Sequence, residues 1–498
     1  MSAFTPLSEA TLAGFAPLRY AERLLVQACL SGDIAKIRLQ QPTEASRDVA
    51  VRASFLAFLL NGGVPLRGRR LHVIGAFVEG RLDLGGLTLP GSLWFYRCRF
   101  DSAVLLDGAH VAGDVSFGGS HLQALMADGC TIDGDLSLNA GCSVAHEVRL
   151  RRARIGGDLD AARLDLSGGQ QGGAARRVLQ GDGLRVDGSL RLHEGFDALG
   201  EVRLCGARVG GDMLLSGRFS GNAVDEHRRD LALRLDRLEV DGTLRLDGGF
   251  ASAGGVSLVR ARIGGDLDAT GAGFDRLGDG AWGDGAALRL DRARIGGALV
   301  LRQLQESLLG ASFVDARAGT LVDDATTWGE RLALDGFTYG RFGDGAPLDT
   351  GFRLDWLERQ RAAHLKSDFR PQPWRRLIRV LRRMGHEQRA ARVAVRRETW
   401  LRRSGRIGEW APPGLRWLPW LGHAAHGLLA GHGYRPARLL GWAVGVAAVS
   451  ALLGGGFVGP LAPSALRWWE RFEIAFGVLA AVLLVASLAG WTDRDRRR

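Results

Sequence analysis

Three histidines near the C-terminal end, His423, His426 and His432, come closest to a chemical site by type and spacing. His423-Ala-Ala-His426 places two imidazoles on one helix face at i, i+3, a spacing that suits a metal ion or an axial haem ligand. Between Trp410 and Ile474 the only acidic or thiol companions are Glu470 and Glu473. The competing reading is an interfacial helix over 419–429 whose polar residues lie near lipid headgroups. On this pattern no metal is assigned.

A second group recurs along the chain. An Asp follows a Gly at Asp114, Asp135, Asp158, Asp212 and Asp266. Stacked carboxylates could line a cation site, but Ser189 and Thr243 interrupt the series and Arg154, Arg208 and Arg262 can offset it. A solvated face with local ion pairs is expected. Gly278-Asp-Gly-Ala-Trp-Gly283 matches the dinucleotide fingerprint GxGxxG. That fingerprint needs a strand before it and a helix after it, and its neighbourhood reads as a loop. No cofactor is assigned. No Ser-His-Asp, Cys-His or paired-carboxylate arrangement stands out, so no catalytic residue is assigned either.

The elements behind these residues are set by repetition. Ala153-Arg-Ile-Gly-Gly-Asp-Leu-Asp-Ala161 returns as Ala207-Arg-Val-Gly-Gly-Asp-Met-Leu-Leu215 and again as Ala261-Arg-Ile-Gly-Gly-Asp-Leu-Asp-Ala269, at intervals of 54 residues. Sister phrases at Leu184–Leu192 and Leu238–Leu246 lie between them. The marker glycines Gly113, Gly134, Gly157, Gly188, Gly211, Gly242, Gly265 and Gly297 define a unit of about 22 residues, and every second later unit is longer by about 8. The additions, Gly168–Arg177, Ser220–Asp230 and Gly271–Gly285, read as loops on one edge of a stack. Apolar residues alternate within each unit, with Ala153, Ile155, Gly157, Leu159 and Ala161 on one side, and period two means strand. The fold class is therefore mainly β, a parallel β-helix.

Boundaries follow from composition. Residues 1–64 read as an N-terminal helical cap, 65–345 as the β-helix, 346–410 as a basic helical region, 411–436 as an interfacial segment and 437–498 as a membrane hairpin with a basic tail. Residues 1–350 carry 39 basic and 44 acidic side chains, whereas 351–438 carry 20 and 6, so the net +11 is local to the helical region. Arg375, Arg376, Arg379, Arg382 and Arg383 lie there and are candidates for lipid headgroup contact. Nucleic acid is not favoured, since no aromatic interleaving accompanies them. The five cysteines show no ligand spacing and read as reduced and buried. The start lacks the apolar core of a signal peptide.

Uncharged runs at about 439–458 and 474–491 have the length of membrane spans. Arginines cluster before the first run and after the second, which places both ends and the solenoid in the cytoplasm. Gly441 and Gly445 form a candidate helix-packing pair, and a homo-oligomer is possible.

Phe369-Arg-Pro-Gln-Pro-Trp374, Met384-Gly-His-Glu387 and Gly431-His-Gly-Tyr-Arg-Pro436 before an apolar run resemble a bacterial family. Its members join pentapeptide-repeat-like or β-helical domains to C-terminal membrane helices, and some carry the automatic name "membrane-associated oxidoreductase". The resemblance implies an inner-membrane protein with a cytoplasmic solenoid and brings no defined active site. The expected function is a membrane-anchored scaffold without catalysis that presents a long face to proteins or envelope polymers. The alternatives are an enzyme with its site in the inter-coil loops or at His423 and His426, and a pore or transport subunit.

Overall fold

The computed structural model describes residues 11–167, 177–221, 223–225, 228–229, 231–274, 286–407, 409, 411–434, 437–454, 468–469, 471–472, 474–478 and 481. The chain divides into two compact units, one of residues 1–333 with 343–346, the other of 334–342 with 347–498.

The first unit is a parallel β-solenoid. One coil shows how the sequence builds it. Strands Val148–Arg149, Arg154–Ile155, Leu159–Asp160 and Asp165–Leu166 form four successive faces. The inward residues are Val148 and Leu150, Ala153 and Ile155, Leu159 and Ala161, Leu164 and Leu166, all at most 2 % exposed. They repeat every five residues except across Gly157–Asp158, where the step is six. The alternation expected of one continuous strand is thus carried by two dipeptide strands around a corner. The marker glycine sits at that corner and is half-buried, rather than pointing into the core.

Each face pairs in parallel register with the coils above and below. On the first face, ten strands run from Leu82–Asp83 to Ala311–Ser312 among the described residues. Inside, Phe196, Phe219, Phe250 and Phe274 stack in one column with ring centroids 5.1, 5.1 and 5.6 Å apart. Such pairs add about 0.5–1.5 kcal/mol each beyond their burial.

Glycine and aspartate at the six-residue corner are physically coupled. Asp114 Oδ1 accepts the Asp135 N–H at 3.1 Å, and Asp135 Oδ1 accepts the Asp158 N–H at 2.7 Å. Asp158, Asp212 and Asp266 likewise accept from Ser189, Thr243 and Ala298 one coil on, at 2.7, 2.8 and 2.6 Å. Ser189 Oγ takes the Asp212 N–H at 3.3 Å. These amides point outward at a turn and lack a strand partner, so a side chain from the previous coil satisfies them. The acceptor reaches over the next coil's glycine. A Cβ on Gly134, Gly157, Gly188, Gly242 or Gly297 would lie closer than 3.0 Å to the Asp Oδ1 beneath it.

The N-terminal segment is less helical than expected. Helix α1 (Tyr20–Ser31) and the short α2 (Ala53–Phe58) are joined by two strands that extend the stack. Ala35–Lys36 pairs with Val73–Ile74, and Ala50–Arg52 with Phe77–Glu79. Glu22 of α1, fully buried, accepts from Arg52 Nε at 2.8 Å and from the Arg19 N–H at 3.0 Å. Arg177, at the end of the first added segment, opens the strand Arg177–Gln180, and 168–176 lie outside the described residues. The second contains an antiparallel pair, Ala223–Asp225 with Arg228–Arg229. Of the third, 275–285 lie outside the described residues. The first segment follows the fourth-face strand Asp165–Leu166, the second begins at the end of strand Met213–Ser220, and the third contains the fourth-face strand Gly273–Phe274; the next strand of the solenoid after each belongs to the first face.

The second unit holds α3 (Thr350–Glu358), α4 (Ala362–Leu365), α5 (Gln372–Arg383) and α6 (Glu387–Arg403); α5, which carries the fully buried Trp374 and Leu377, packs against α6 and against strand Thr338–Phe342, and α3 packs against α6. Helices α7 (Trp417–Ala430) and α8 (Ala437–Gly454) follow. The expected membrane hairpin is not supported. Among the described residues no helix is long and apolar enough to cross a membrane. At 1.5 Å per residue, the 18 residues of α8 span about 27 Å, and the helix includes Arg438. Most of the expected second span lies outside the described residues.

The corner coupling predicts the effect of one methyl group. Gly157→Ala should lower stability by about 1–3 kcal/mol through overpacking against Asp135, read as a shift of the denaturation midpoint. Adding Asp135→Ala should recover part of the loss, because it removes the clash while orphaning one amide.

Candidate functional site

Among the described residues the recurring aspartates form no group arranged to hold a metal ion. Asp114, Asp135, Asp158, Asp212 and Asp266 each hold a backbone N–H of the next coil or its equivalent, as described above. For Asp158 that backbone hydrogen bond, aided by Arg191 at 2.7 Å, holds the carboxyl below its usual range. Arg154 has no such contact with it. Arg208 and Arg262 instead share Glu239, at 3.0 and 3.1 Å. A second set occupies the corner between the first and second faces. There Asp128, Asp182, Asp236 and Asp291 accept the N–H groups of Arg151, Cys205, Val259 and Val314.

The five cysteines are buried and unpaired. Burial pushes Cys98 and Cys130 up to about 12, Cys29 and Cys205 up to about 11, and raises Cys142 further. None supplies a thiolate near neutral pH. The fingerprint Gly278–Gly283 lies outside the described residues.

The basic hairpin separates into two kinds of arginine. Arg376 is turned inward, its Nε donating to the Tyr339 carbonyl at 2.9 Å, and burial lowers its pKa. Arg382 lies 3.6 Å from Glu387. Arg375, Arg379 and Arg383 are exposed and form an i, i+4, i+8 row along α5. The motif ahead of them is structural. Arg370 pairs with Asp335 at 2.7 Å, Gln372 accepts the Gly336 N–H at 3.0 Å, and Phe369 and Trp374 are buried.

The three histidines do come together, and they gain a partner that the sequence did not suggest. Glu398 of α6 takes a hydrogen bond from His423 Nε2 at 3.1 Å and pairs with Arg397 at 2.6 Å. The His423 and His432 rings lie 4.3 Å apart, and those of His426 and His432 5.6 Å. Gly431 and His432 are both left-handed, with φ of 56° and 57°, which folds His432 back over α7. There it fills the space that a side chain at Gly427 would take. Among the described residues no group of three or more His, Cys, Asp or Glu is arranged to hold a metal ion. His423 Nδ1 and His426 Nε2 are buried without a hydrogen-bond partner among the described residues. A Cβ at Gly441 or Gly445 would meet nothing within 4 Å, so no described part of this chain packs on that pair.

Burial opposes charge on Glu398, but the hydrogen bond from His423 and the charge of Arg397 outweigh it and hold the carboxyl at about 2. Burial, reinforced by His423, lowers His432 to about 4, and the same two causes lower His426. A depressed histidine keeps its proton off in the fold while the unfolded chain binds it, so stability falls with acid from about pH 6.5 towards 4. Glu398 adds a further loss below about pH 4. Hydrogen exchange should therefore show the α6–α7 region opening on acidification within that window. His432→Asn, which tolerates the left-handed backbone, should reduce the dependence.

Comparison with known proteins is limited to the repeats. A family model described as pentapeptide repeats (9 copies) matches residues 95–141, a stretch that none of the added loops interrupts. No curated protein and no solved structure matches the chain. The likeness to pentapeptide repeats agrees with the four-faced coil.

Proposed function

We propose that this protein is a non-catalytic scaffold whose solenoid presents a long, rigid surface to a partner. One observation carries the reading: the repeated aspartates that resemble a chemical array are used to bond coil to coil, and the cysteines are buried. What the solenoid offers outward is a set of in-register columns, one residue per coil at about 4.8 Å spacing. Such a surface suits extended contact better than a reaction at one point. The test is to assay the purified full-length protein for turnover with common redox and hydrolytic substrates, and to identify what it retains after capture from detergent-treated cells. Robust turnover dependent on a solenoid residue would remove the reading.

Attachment to a membrane is the finer part of the proposal. Its support is a set of large apolar side chains left exposed on and near α7 and α8: Trp417 at 57 %, Trp420 at 46 %, Leu421 at 51 % and Leu428 at 61 % on the first, and Val444 at 69 % on the second. The exposed row Arg375, Arg379 and Arg383 adds positive charge in the same unit. Tryptophan and leucine with flanking arginine suit the headgroup boundary. Full-length protein should co-sediment with vesicles rich in anionic lipid, and W417S/W420S/L421S should weaken this at least tenfold. Equal sedimentation of the variant would remove α7 as the contact.

A further inference from the structure

The second face of the solenoid carries a column of arginines. Residues Arg154, Arg185, Arg208, Glu239, Arg262, Arg294 and Arg317 occupy one outward position on seven successive coils and pair in parallel register. All six arginines are exposed. Among the described residues, Arg208 and Arg262 alone have a carboxylate, and it is the same one, Glu239. Arg154, Arg185, Arg294 and Arg317 have no acidic partner among the described residues. Like charges stacked directly across neighbouring strands repel one another, so the isolated fold is worse for this column. The first face handles its arginines differently: Arg149, Arg203 and Arg234 are each held by an Asp or Glu.

The other outward position of this face is Gly156, Gly210, Gly264, Gly296 and Gly319, with Asp187 and Asp241 between. Counting Glu239, Asp187 and Asp241 against six arginines leaves 6 − 3 = 3 positive charges along the strip. Beside its C-terminal half lies a groove of about 480 Å³ lined by Arg237, Arg260 and Arg292 with Asp236 and Asp291. Those carboxylates are occupied by the Val259 and Val314 N–H groups and by the Ser257 and Ser312 hydroxyls. The three arginines are left-handed, with φ of 59°, 60° and 59°, at a corner where Gly183 and Gly206 serve earlier coils. A side chain there strains the backbone, and the sequence nevertheless places a guanidinium at this corner in three successive coils.

We propose that this strip is a docking surface for an unbranched inorganic polyphosphate chain lying along the stacking axis. Seven positions at about 4.8 Å spacing give a straight line of about 29 Å, which calls for a linear polyanion. The guanidinium fork matches phosphate oxygens two at a time. The strip has no aromatic side chain on which a base could stack, which separates it from single-strand nucleic-acid surfaces. The proposal rests on the scaffold reading and names its ligand. Failure to bind polyphosphate would remove this ligand alone, whereas turnover at a solenoid residue would remove the scaffold.

The experiment uses the full-length chain and inorganic polyphosphate of about 15 units, titrated at low and at physiological salt. Binding should weaken steeply with salt. R185A/R294A should lower affinity at least tenfold. The charge-matched control R177A/R218A, whose arginines already pair with Glu201 and Asp197, should change it less than twofold. R185K/R294K, which keeps the charge and loses the fork, should fall between. All these positions are exposed, and circular dichroism checks that each variant is folded. No binding at low salt, or equal loss in the R177A/R218A control, would overturn the proposal. So would a single-stranded oligonucleotide that binds the strip when polyphosphate does not compete with it.

Discussion

The interaction on which the solenoid depends is a hydrogen bond that crosses between coils at a corner. At the six-residue corner the backbone turns out of its strand, and one amide per coil has no sheet partner. An Asp, or a Ser in its place, reaches from the coil before to take that amide. The reach is possible only over a residue without a side chain, which fixes glycine at the next position. The Gly-Asp pair is thus one device spread over two coils. It also accounts for acidic residues on the solenoid that lack an ion-pairing partner, since backbone amides satisfy them. Beneath it the core is filled by alternating aliphatic residues and the phenylalanine column, which supply the burial that the corner bonds orient.

Much of this was legible in the residues, and the limits have physical causes. The 54-residue phrase and its marker glycines give the coil length directly. Apolar alternation identifies strand, but a continuous strand and two dipeptide strands around a corner bury the same residues. Ile155 and Leu159 therefore look alike in both, and the four-faced cross-section emerges only in three dimensions. The N-terminal pairings Ala35–Lys36 and Ala50–Arg52 are too short to leave a periodic trace. Residues 346–410 were legible as helical, and Pro373 in the first turn of α5 and Gly385 between α5 and α6 are the residues that punctuate them.

The histidine cluster was half legible. The i, i+3 spacing of His423 and His426 places them on one face, but Glu398 lies on another helix and His432 arrives through two left-handed residues. No local pattern announces either. The apolar runs near the C-terminus are covered only in part by the described residues. Lack of charge over 20 residues suits a membrane span; the helix described there, α8, covers 18 residues and has Arg438 at its second position.

Because every coil adds one step along a single axis, the solenoid is also a measure of length. The duplicated phrase occupies two coils, so one 54-residue copy corresponds to roughly 10 Å of height at the spacing of parallel strands. Its two ends, such as Leu184 and Leu238, sit at equivalent places in the ladder. A copy can thus be gained or lost without disturbing the seam, since each side of the join meets the neighbour it had before. The distance between the two ends of the stack is then a quantity that inheritance can adjust in fixed increments, as a ruler is cut at its graduations, while the cross-section and the corners stay the same.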